Sequence, residues 1–266
     1  MPAIDRQAML AAYDAELRAY VPSRLSTGEI LERDGPLLRF MRENGQGWVL
    51  YRDLGGLEGE ALDELIARQV AVFAARGQRF EWKFHGHDLP LDLPERLRAA
   101  GLEPEERETV VIGPVDALVG EPVLPTGVVL REVADRPDLV RIATMEGEVW
   151  GEQHLDLVDF LEGEIEADAD SIRIVIAEAA SAVVCAAWIR FPEGTELATL
   201  WGGATLAAWR GKGIYRATVT HRANLAAERG YRFLQVDASD DSRPILERLG
   251  FVAVTTTTPY VWSPPD

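Results

Sequence analysis

The sequence has a single cysteine, Cys185, among its 266 residues. One cysteine excludes an intramolecular disulfide and any metal site built from clustered cysteines. The longest clear apolar run covers only residues 182–189, whereas a helix that spans a bilayer needs about 20 residues. The first residues show no basic segment followed by an apolar one, so we expect no secretory signal, no membrane partner and a cytoplasmic protein.

Positive charge is also scarce, because 27 Lys and Arg residues face 44 Asp and Glu residues and give a net charge of −17. Such a field repels nucleic acid and anionic membranes and favours cationic ligands. We therefore expect no nucleic-acid partner. Solubility alone is the more common reason for such a charge.

Two stretches of the chain are similar at an offset of 153 residues. Arg76-Gly77 and Arg229-Gly230 each end a helical pattern, and each is followed by a strand that starts with Arg-Phe. A short helix closed by glycine and a β-branched strand come next in both copies. The repeat predicts two related halves of layered α/β or α+β type, joined through the Pro- and Gly-rich residues 113–127. We expect lobes at residues 1–115 and 127–266.

The stretch from Ala204 to Arg222 carries the most specific signal. Residues 196–209 read as a strand that contains the costly pair Gly202-Gly203, and helical spacing begins at Ile214. The first N–H groups of a helix and its macrodipole attract anions, and glycines let the backbone approach oxygen atoms. Residues 210–232 hold six Lys or Arg and one acid in a chain of net charge −17. The turn therefore predicts a phosphate or pyrophosphate site.

The same offset places the acidic residues 57–60, Leu-Glu-Gly-Glu, opposite the basic residues 210–213, Arg-Gly-Lys-Gly. An anion held by the second copy would be repelled by the first. We therefore expect the N-terminal half to be a degenerate copy that is kept for packing or for shaping a site.

Comparison with known phosphate-binding loops narrows the class of ligand that the turn could hold. The P-loop pattern is absent, and the third glycine of a dinucleotide fingerprint is replaced by Arg216. Residues 210–215, RGKGIY, followed about 40 residues later by LERLGF at 246–251, resemble the GNAT acyltransferase superfamily over roughly residues 127–262. Arg210 and Gly213 match the family loop, whereas Tyr215 replaces its last small residue. The tandem arrangement is similar to that of mycothiol synthases.

The resemblance implies two α+β lobes, each with a mixed, mostly antiparallel sheet flanked by helices. It also implies acetyl-CoA as co-substrate, a small amine as acceptor and no metal. The pyrophosphate would lie on Gly211, Lys212, Gly213, Ile214, Tyr215 and Arg216, next to Arg210. The pantetheine arm would bond the backbone of a bulged strand at Ala204, Thr205 and Leu206, with an amide near Leu206 as the oxyanion donor. The sequence leaves open whether the protein forms a homodimer.

The resemblance leaves the acid and the base open. The family often carries a tyrosine five residues before the final Phe, and that place is Leu246. Ser239 and Ser242 are alternatives for a hydrogen bond to the pantetheine or to the sulfur, and Ser242 also suits the N-cap of a helix. Glu196, at the start of the bulged strand, is a candidate base. Glu152 is a second candidate, in a segment with ten acids and no Lys or Arg between residues 145 and 170.

The remaining polar side chains are better explained by structure than by catalysis. His85 and His87 indicate a polar loop rather than a metal site, and His221 indicates a hydrogen-bonded histidine on the inner face of a helix. Cys185 lies in an apolar strand and should be buried and inert. The sequence thus predicts an N-acetyltransferase. The alternative is a lobe that binds CoA without catalysis, as a sensor or interaction module.

Overall fold

The computed structural model describes residues 5–43, 45–151 and 155–265, with the backbone alone at residue 155. Its strands lie side by side in one mixed sheet of twelve. In chain order they are β1 (Glu29–Asp34), β2 (Leu37–Arg42), β3 (Gly47–Leu50), β4 (Phe80–His85), β5 (Glu103–Pro104), β6 (Glu108–Pro114), β7 (Val128–Val133), β8 (Ile172–Ala179), β9 (Ala182–Arg190), β10 (Leu197–Thr205), β11 (Phe233–Ala238) and β12 (Val252–Trp262).

The helices cover both faces of this sheet. They are α1 (Arg6–Glu16), α2 (Gly59–Ala75), α3 (Leu93–Ala99), α4 (Arg136–Trp150), α5 (Leu155–Ala167), α6 (Ile214–Glu228) and α7 (Arg243–Arg248). Helices α2, α3, α6 and α7 pack on one face, and α1, α4 and α5 pack on the other. The predicted mixed sheet flanked by helices is confirmed.

The repeat is visible in the pairing of the strands. In the N-terminal lobe (β1–β4 with α2 and α3) antiparallel pairs lead up to one parallel pair, β3 with β4. In the C-terminal lobe (β7–β11 with α4–α7) antiparallel pairs lead up to the parallel pair of β10 with β11. Each lobe thus repeats the same plan, as the offset of 153 residues predicts.

The two lobes are joined by their last strands. The sheet order is β1-β2-β3-β4-β12-β6-β11-β10-β9-β8-β7, with β5 paired to β12. Strand β6, which ends the N-terminal half, pairs with β11 of the C-terminal lobe. Residues 257–262 of β12, which ends the chain, pair with β4 of the N-terminal lobe. We call β6 and β12 the exchanged strands. Because of this exchange the boundaries at 115 and 127 stay a prediction.

Along strand β4, apolar and titratable residues alternate between the two faces of the sheet. Phe80 and Trp82 are fully buried against the cluster that contains α2 and α3. The alternating residues Glu81, Lys83 and His85 therefore point to the face of α1. Most of the apolar side chains of the strand thus lie on one face, and titratable side chains line the other.

Candidate active site

Strand β10 is bulged at the glycine pair that the sequence singles out. Its antiparallel register with β9 shifts between Gly202 and Ala204, and both glycines have positive φ, 65° and 96°. The predicted bulge is confirmed. Ala204 and Thr205 lie opposite Ala186 and Cys185 of β9 beyond the shift.

Each glycine of the bulge is covered by an aromatic ring of the chain itself. A Cβ at Gly202 would lie 2.5 Å from the ring of Trp188, and a Cβ at Gly203 would lie 2.5 Å from Cε2 of Tyr215. No L side chain fits at this distance without displacing a ring. The two glycines therefore let rings of the chain itself approach the backbone, at a place where the sequence predicts the approach of a ligand.

Strands β10 and β11 pair over a short distance only. Their parallel register covers residues 197–199 of β10 and 233–235 of β11. Beyond Thr199 and Gln235 the two strands are no longer paired, and β11 continues alongside β6. The bulge lies in this divergent part of β10, so the backbone beyond Thr199 has no β11 partner in the sheet.

Arg222 of α6 lies beneath the bulge. It is 1% exposed, and its Nη1 donates to the carbonyls of Trp188 and Trp201 at 3.0 and 3.1 Å. Its Nε donates to the carbonyl of Thr218. Burial lowers the pKa of this guanidinium. Arg222 thus ties α6 to both strands at the place where the ladder is irregular.

The predicted phosphate loop precedes α6 directly. Gly211 and Gly213 have φ of 74° and 84°, and Gly213 is the residue before the first turn of the helix. Arg210 Nε donates to the carbonyl of Thr205 at 3.0 Å, and Lys212 Nζ lies 4.5 Å from the centre of the Trp209 ring. The loop therefore has the left-handed glycines and free helix end that bind an anion.

The corresponding turn of the N-terminal lobe has the opposite charge. Helix α2 begins at Gly59 after Glu58, and Glu60 lies in its first turn. After β3 ends, Tyr51 is buried and donates its hydroxyl to Asp88 at 2.5 Å. Arg18 donates to the other oxygen of Asp88 at 2.5 Å. An acidic turn and a buried ion pair thus occupy this part of the N-terminal copy.

A cavity of about 970 Å³ lies between the two lobes on the face that carries α1 and α5. Its floor includes Thr199 and Trp201 of β10, and Gln235 and Asp237 of β11. These residues flank the point where the two strands diverge, so the cavity reaches the divergence. Trp188 also lines the cavity, and its Nε1 is buried with no hydrogen-bond partner in the described part of the chain.

A ladder of alternating rings and guanidinium groups forms one wall of the cavity. Arg42 lies 5.0 Å from the Trp48 ring and 4.1 Å from the Phe160 ring. Arg190 lies 5.5 Å from the Phe160 ring and 4.5 Å from the Trp201 ring. Glu29 binds Arg42, and Glu164 binds Arg190. This cation–aromatic ladder joins β2 and β3 of one lobe to α5, β9 and β10 of the other.

An ion cluster of partly buried side chains spans the seam between the lobes. Lys83 Nζ of β4 reaches over the exchanged strands to Asp237 Oδ2 at 2.8 Å. Gln235 donates to the other oxygen of Asp237 at 2.8 Å. The charge of Glu81 also acts on Glu108 and raises its pKa. We call Glu81, Lys83, Glu108 and Asp237 the seam cluster.

Burial changes the acidity of this cluster. It raises the pKa of Glu108 to about 7 and that of Glu81 above its usual range, and the charge of Asp237 adds to both shifts. For Lys83, burial lowers the pKa, but Asp237 and Glu81 outweigh it and the net shift is upward. The seam cluster therefore holds a carboxyl group that exchanges its proton near neutral pH.

The histidines differ in part from the sequence predictions. His85 is not in a polar loop: it ends β4, is 3% exposed and lies 3.0 Å from the hydroxyl of Tyr13. The prediction failed because α1, distant in sequence, covers this strand end. His221 is hydrogen-bonded to Glu132 at 3.2 Å but is only partly buried. His87 is bonded to Thr255 at 2.8 Å. The prediction of a buried Cys185 is confirmed, and burial raises the pKa of its thiol to about 11.

Ser239 and Ser242 lie at the carboxyl end of β11, with their hydroxyl oxygens 3.2 Å apart. Ser242 occupies the N-cap position of α7, as predicted, but its side chain makes no capping bond. Its hydroxyl donates instead to the carbonyl of Ser239 at 3.3 Å. The pair is therefore positioned by its own turn. Leu246, at the place of the family tyrosine, is fully buried.

The predicted oxyanion donor and base are engaged elsewhere. The amide of Leu206 donates to the carbonyl of Val184 at 3.0 Å, so it would have to give up this bond to act on a ligand. Glu196 accepts two bonds from Arg232 at 2.6 and 2.8 Å and is absent from the cavity lining in the described residues. Glu152 lies outside the described residues. Both bases stay predictions.

Sequence reasoning missed the cavity, the ladder and the seam cluster. Lys83 and Asp237 are 154 residues apart, and no local pattern links them. In residues 5–43, 45–151 and 155–265 no group of three or more His, Cys, Asp or Glu residues could hold a metal ion. Across the same ranges, none of the helices combines the length and the apolar character that crossing a membrane requires.

Several solved structures resemble this chain along its whole length. A GCN5-related N-acetyltransferase from Kribbella flavida has a TM-score of 0.67 at 14% identity, over 98% of this chain and 95% of that chain. A tandem GNAT protein from the clavulanic acid biosynthesis pathway has a TM-score of 0.62 at 16% identity, over the same shares. A functionally unknown conserved protein from Staphylococcus epidermidis has 0.64 at 11% identity, over 95% of this chain and 98% of that one.

No protein-family model and no curated protein matches the sequence. The structural likeness, at these identities, concerns the fold. The chain therefore has the fold of the GCN5-related N-acetyltransferases in its tandem form, with two lobes in one polypeptide. The prediction of a tandem GNAT arrangement is confirmed.

Proposed function

We propose that the protein is an N-acetyltransferase that uses acetyl-CoA and a small, cationic amine. The observation that carries this proposal is the junction of three features in the C-terminal lobe. A basic glycine loop precedes α6, the bulged strand β10 diverges from β11, and the divergence opens into the cavity between the lobes. In this proposal the pyrophosphate lies on the loop, the pantetheine lies along the divergence, and the acceptor fills the cavity.

The residues present suit one part of acetyl-CoA better than the other. Gly211, Gly213 and the free amides at the start of α6 suit a pyrophosphate, and Arg210 and Lys212 add positive charge. The ring of Tyr215, however, lies against Gly203 at the bulge where the pantetheine arm would bond. Binding therefore includes a movement of this ring, and Tyr215 limits the affinity for CoA.

The chemistry is a direct transfer. A neutral amine in the cavity attacks the thioester carbonyl, the C–N bond forms and the C–S bond breaks, and the proton that the nitrogen loses passes to the thiolate. Ser239 and Ser242 provide hydroxyl groups near the end of β11 that can bond the departing sulfur. The backbone amides of the bulge, which has no β11 neighbour, are the candidates for stabilising the oxyanion.

A second function is favoured by one observation, the apolar Leu246 at the place of the family tyrosine. In this alternative the C-terminal lobe binds CoA as a sensor or interaction module and transfers nothing. A discontinuous thiol assay with acetyl-CoA and a panel of primary amines separates the two. Free CoA that appears together with an acetylated amine supports the enzyme. Tight acetyl-CoA binding without product from any amine favours the module.

A further inference from the structure

The seam cluster lies where the cavity meets both lobes. Strands β4 and β11 are separated in the sheet by β12 and β6, a distance of about 14 Å at the usual strand spacing. Lys83 spans this gap and contacts Asp237 at 2.8 Å. Glu81, Lys83 and Asp237 all line the cavity. The exchange of the last strands thus brings carboxylates of different lobes to one end of a shared cavity.

Negative groups outnumber positive ones at this end. Glu81, Glu108 and Asp237 contribute three carboxyl groups, and Lys83 contributes one ammonium group. The nearby guanidinium of Arg18 is bound to Asp88 at 2.5 Å. Burial lowers the pKa of His85, which keeps this ring neutral. Arg79, whose charge also acts on Glu81, is paired with Glu105. Within the described residues, the cluster is therefore short of positive charge.

A buried hydroxyl beside the cluster lacks a partner. Thr257 of β12 is 0% exposed, and its Oγ1 has no hydrogen-bond partner among the described residues. Thr257 pairs with His85 on one side and with Glu108 on the other. Directly opposed residues of antiparallel strands project from the same face. The unpaired hydroxyl therefore points to the face that carries the seam cluster. This observation does not depend on the number of charges in the cluster.

We propose that the seam cluster is the binding site for the ammonium group of the acceptor. A primary ammonium group has three N–H donors and one positive charge, which match the carboxylates of Glu81 and Asp237 in the cavity lining. Glu108 and the unpaired Thr257 hydroxyl lie on the same face beside them and are not part of the lining. This proposal deepens the proposed function, and it rests on that function only for the identity of the occupant as the acceptor. The N-terminal lobe, although its own phosphate turn is acidic, thereby supplies part of the acceptor site.

The same site prepares the amine for attack. Asp237 follows Gln235 by two residues on β11, so the ammonium group lies close to the divergence of β10 and β11. A proton passes from the ammonium nitrogen to a carboxylate oxygen of Glu81: one N–H bond breaks, one O–H bond forms, and the nitrogen keeps its lone pair. Glu81 is the residue that touches the acceptor, and Glu108 is a positioning residue behind it.

Binding of a cation here is linked to protons. The charges that act on the pKa of Glu108 are those of Asp237 from β11, Lys83 and Glu81 from β4, and Glu106 from the preceding turn. His85 of β4 lies in the same row, on the other side of Thr257. An added positive charge stabilises the ionised form of Glu108 and lowers its pKa, which is about 7 in the free protein. Near pH 7 the complex therefore releases a proton, and affinity increases as the pH rises from 6 to 8.

The test is a calorimetric titration of the full chain with 2-phenylethylamine, with 2-phenylethanol as the uncharged control. We expect the amine to bind at least about fivefold more tightly than the alcohol. We also expect proton release at pH 7, measured from the heats in two buffers of different ionisation enthalpy. Equal affinities, the absence of binding or the absence of proton release would overturn the proposal.

Substitutions in the seam cluster test whether the amine binds there. Glu81→Gln and Glu108→Gln should each weaken the amine at least about fivefold. Glu106→Gln, which removes the same charge from an exposed neighbour, should weaken it less than twofold. Unchanged binding in both cluster variants would contradict the site. If a variant does not fold, the proton release of the wild-type protein still tests the proposal. A parallel titration with acetyl-CoA reports on the proposed function separately, since it can succeed or fail independently of the amine.

Discussion

The two lobes contain the same turn with opposite charge. Arg210 to Gly213 precedes α6 with two cations, and Leu57 to Glu60 leads into the first turn of α2 with two carboxylates. The strands before them differ too, because β10 is bulged whereas the register of β2 with β3 is regular. One fold thus carries both a basic turn, which we propose binds an anion, and an acidic turn, which would repel one. In this interpretation the fold positions the turn, and its side chains determine which ligand can bind there.

The largest expected effect comes from making the basic turn resemble the acidic one. Arg210→Glu with Lys212→Glu should weaken acetyl-CoA binding about 100-fold or more, because two charge-assisted contacts to phosphate are lost and repulsion replaces them. Calorimetry measures the change. The matched control is Arg33→Glu with Arg52→Glu, the same change in charge at exposed sites of the other lobe. An equal loss in both variants would point to net charge instead of the turn.

The same substitution at one glycine of each lobe should change the free energy of unfolding by different amounts. Gly203 and Gly56 both have positive φ, 96° and 77°, but a Cβ would meet Tyr215 at the first and nothing within 4 Å at the second. We expect Gly203→Ala to lower the free energy of unfolding by about 3 kcal/mol and Gly56→Ala by about 1 kcal/mol. Urea denaturation measures both. Equal losses would mean that the ring contact contributes nothing.

The seam cluster should make the free energy of unfolding depend on pH. A carboxyl group whose pKa is raised in the folded protein makes folding less favourable as the pH rises from its unfolded value, 4.5, to its folded value, about 7. Above that range the loss is complete. Glu108→Gln should therefore remove a loss of about 1–2 kcal/mol between pH 4.5 and 7. Denaturation at a series of pH values measures it.

The exposed Glu106 is the control for the pH series. Glu106→Gln should keep the dependence of the wild type, because solvent screens a charge at the surface. A pH dependence in Glu108→Gln that equals that of the wild type would show that the proton is held elsewhere in the cluster.

The smallest expected effect concerns Tyr215. Tyr215→Ala restores the small residue of the family loop and removes the ring from the bulge. We expect acetyl-CoA to bind about three- to tenfold more tightly, a gain of about 1 kcal/mol. Tyr231→Ala, a partly buried tyrosine beside Phe191, is the control for the loss of a ring. Weaker binding in Tyr215→Ala would show that the ring supports the ligand.

The sequence predicts what local chemistry determines. The turn at Gly211 and Gly213, the bulge and the helix that starts at Ile214 depend on neighbouring residues, and the structure has them. The sequence could not predict which strand completes which lobe. Both β6 and β12 are rich in β-branched residues, so either could pair with β4 or with β11. The misassignment of His85 and the unseen pair of Lys83 and Asp237 both result from contacts between distant segments.

The number of acetyl-CoA molecules that bind one wild-type chain decides whether the two lobes differ in function as proposed. A calorimetric titration with CoA and NADH alongside should show one site per chain for the two CoA compounds and none for NADH. The stoichiometry should stay at one in Glu58→Lys with Glu60→Lys, because charge alone does not rebuild the bulge that β3 lacks. Two sites in the wild type, or none, would contradict the division of roles between the lobes.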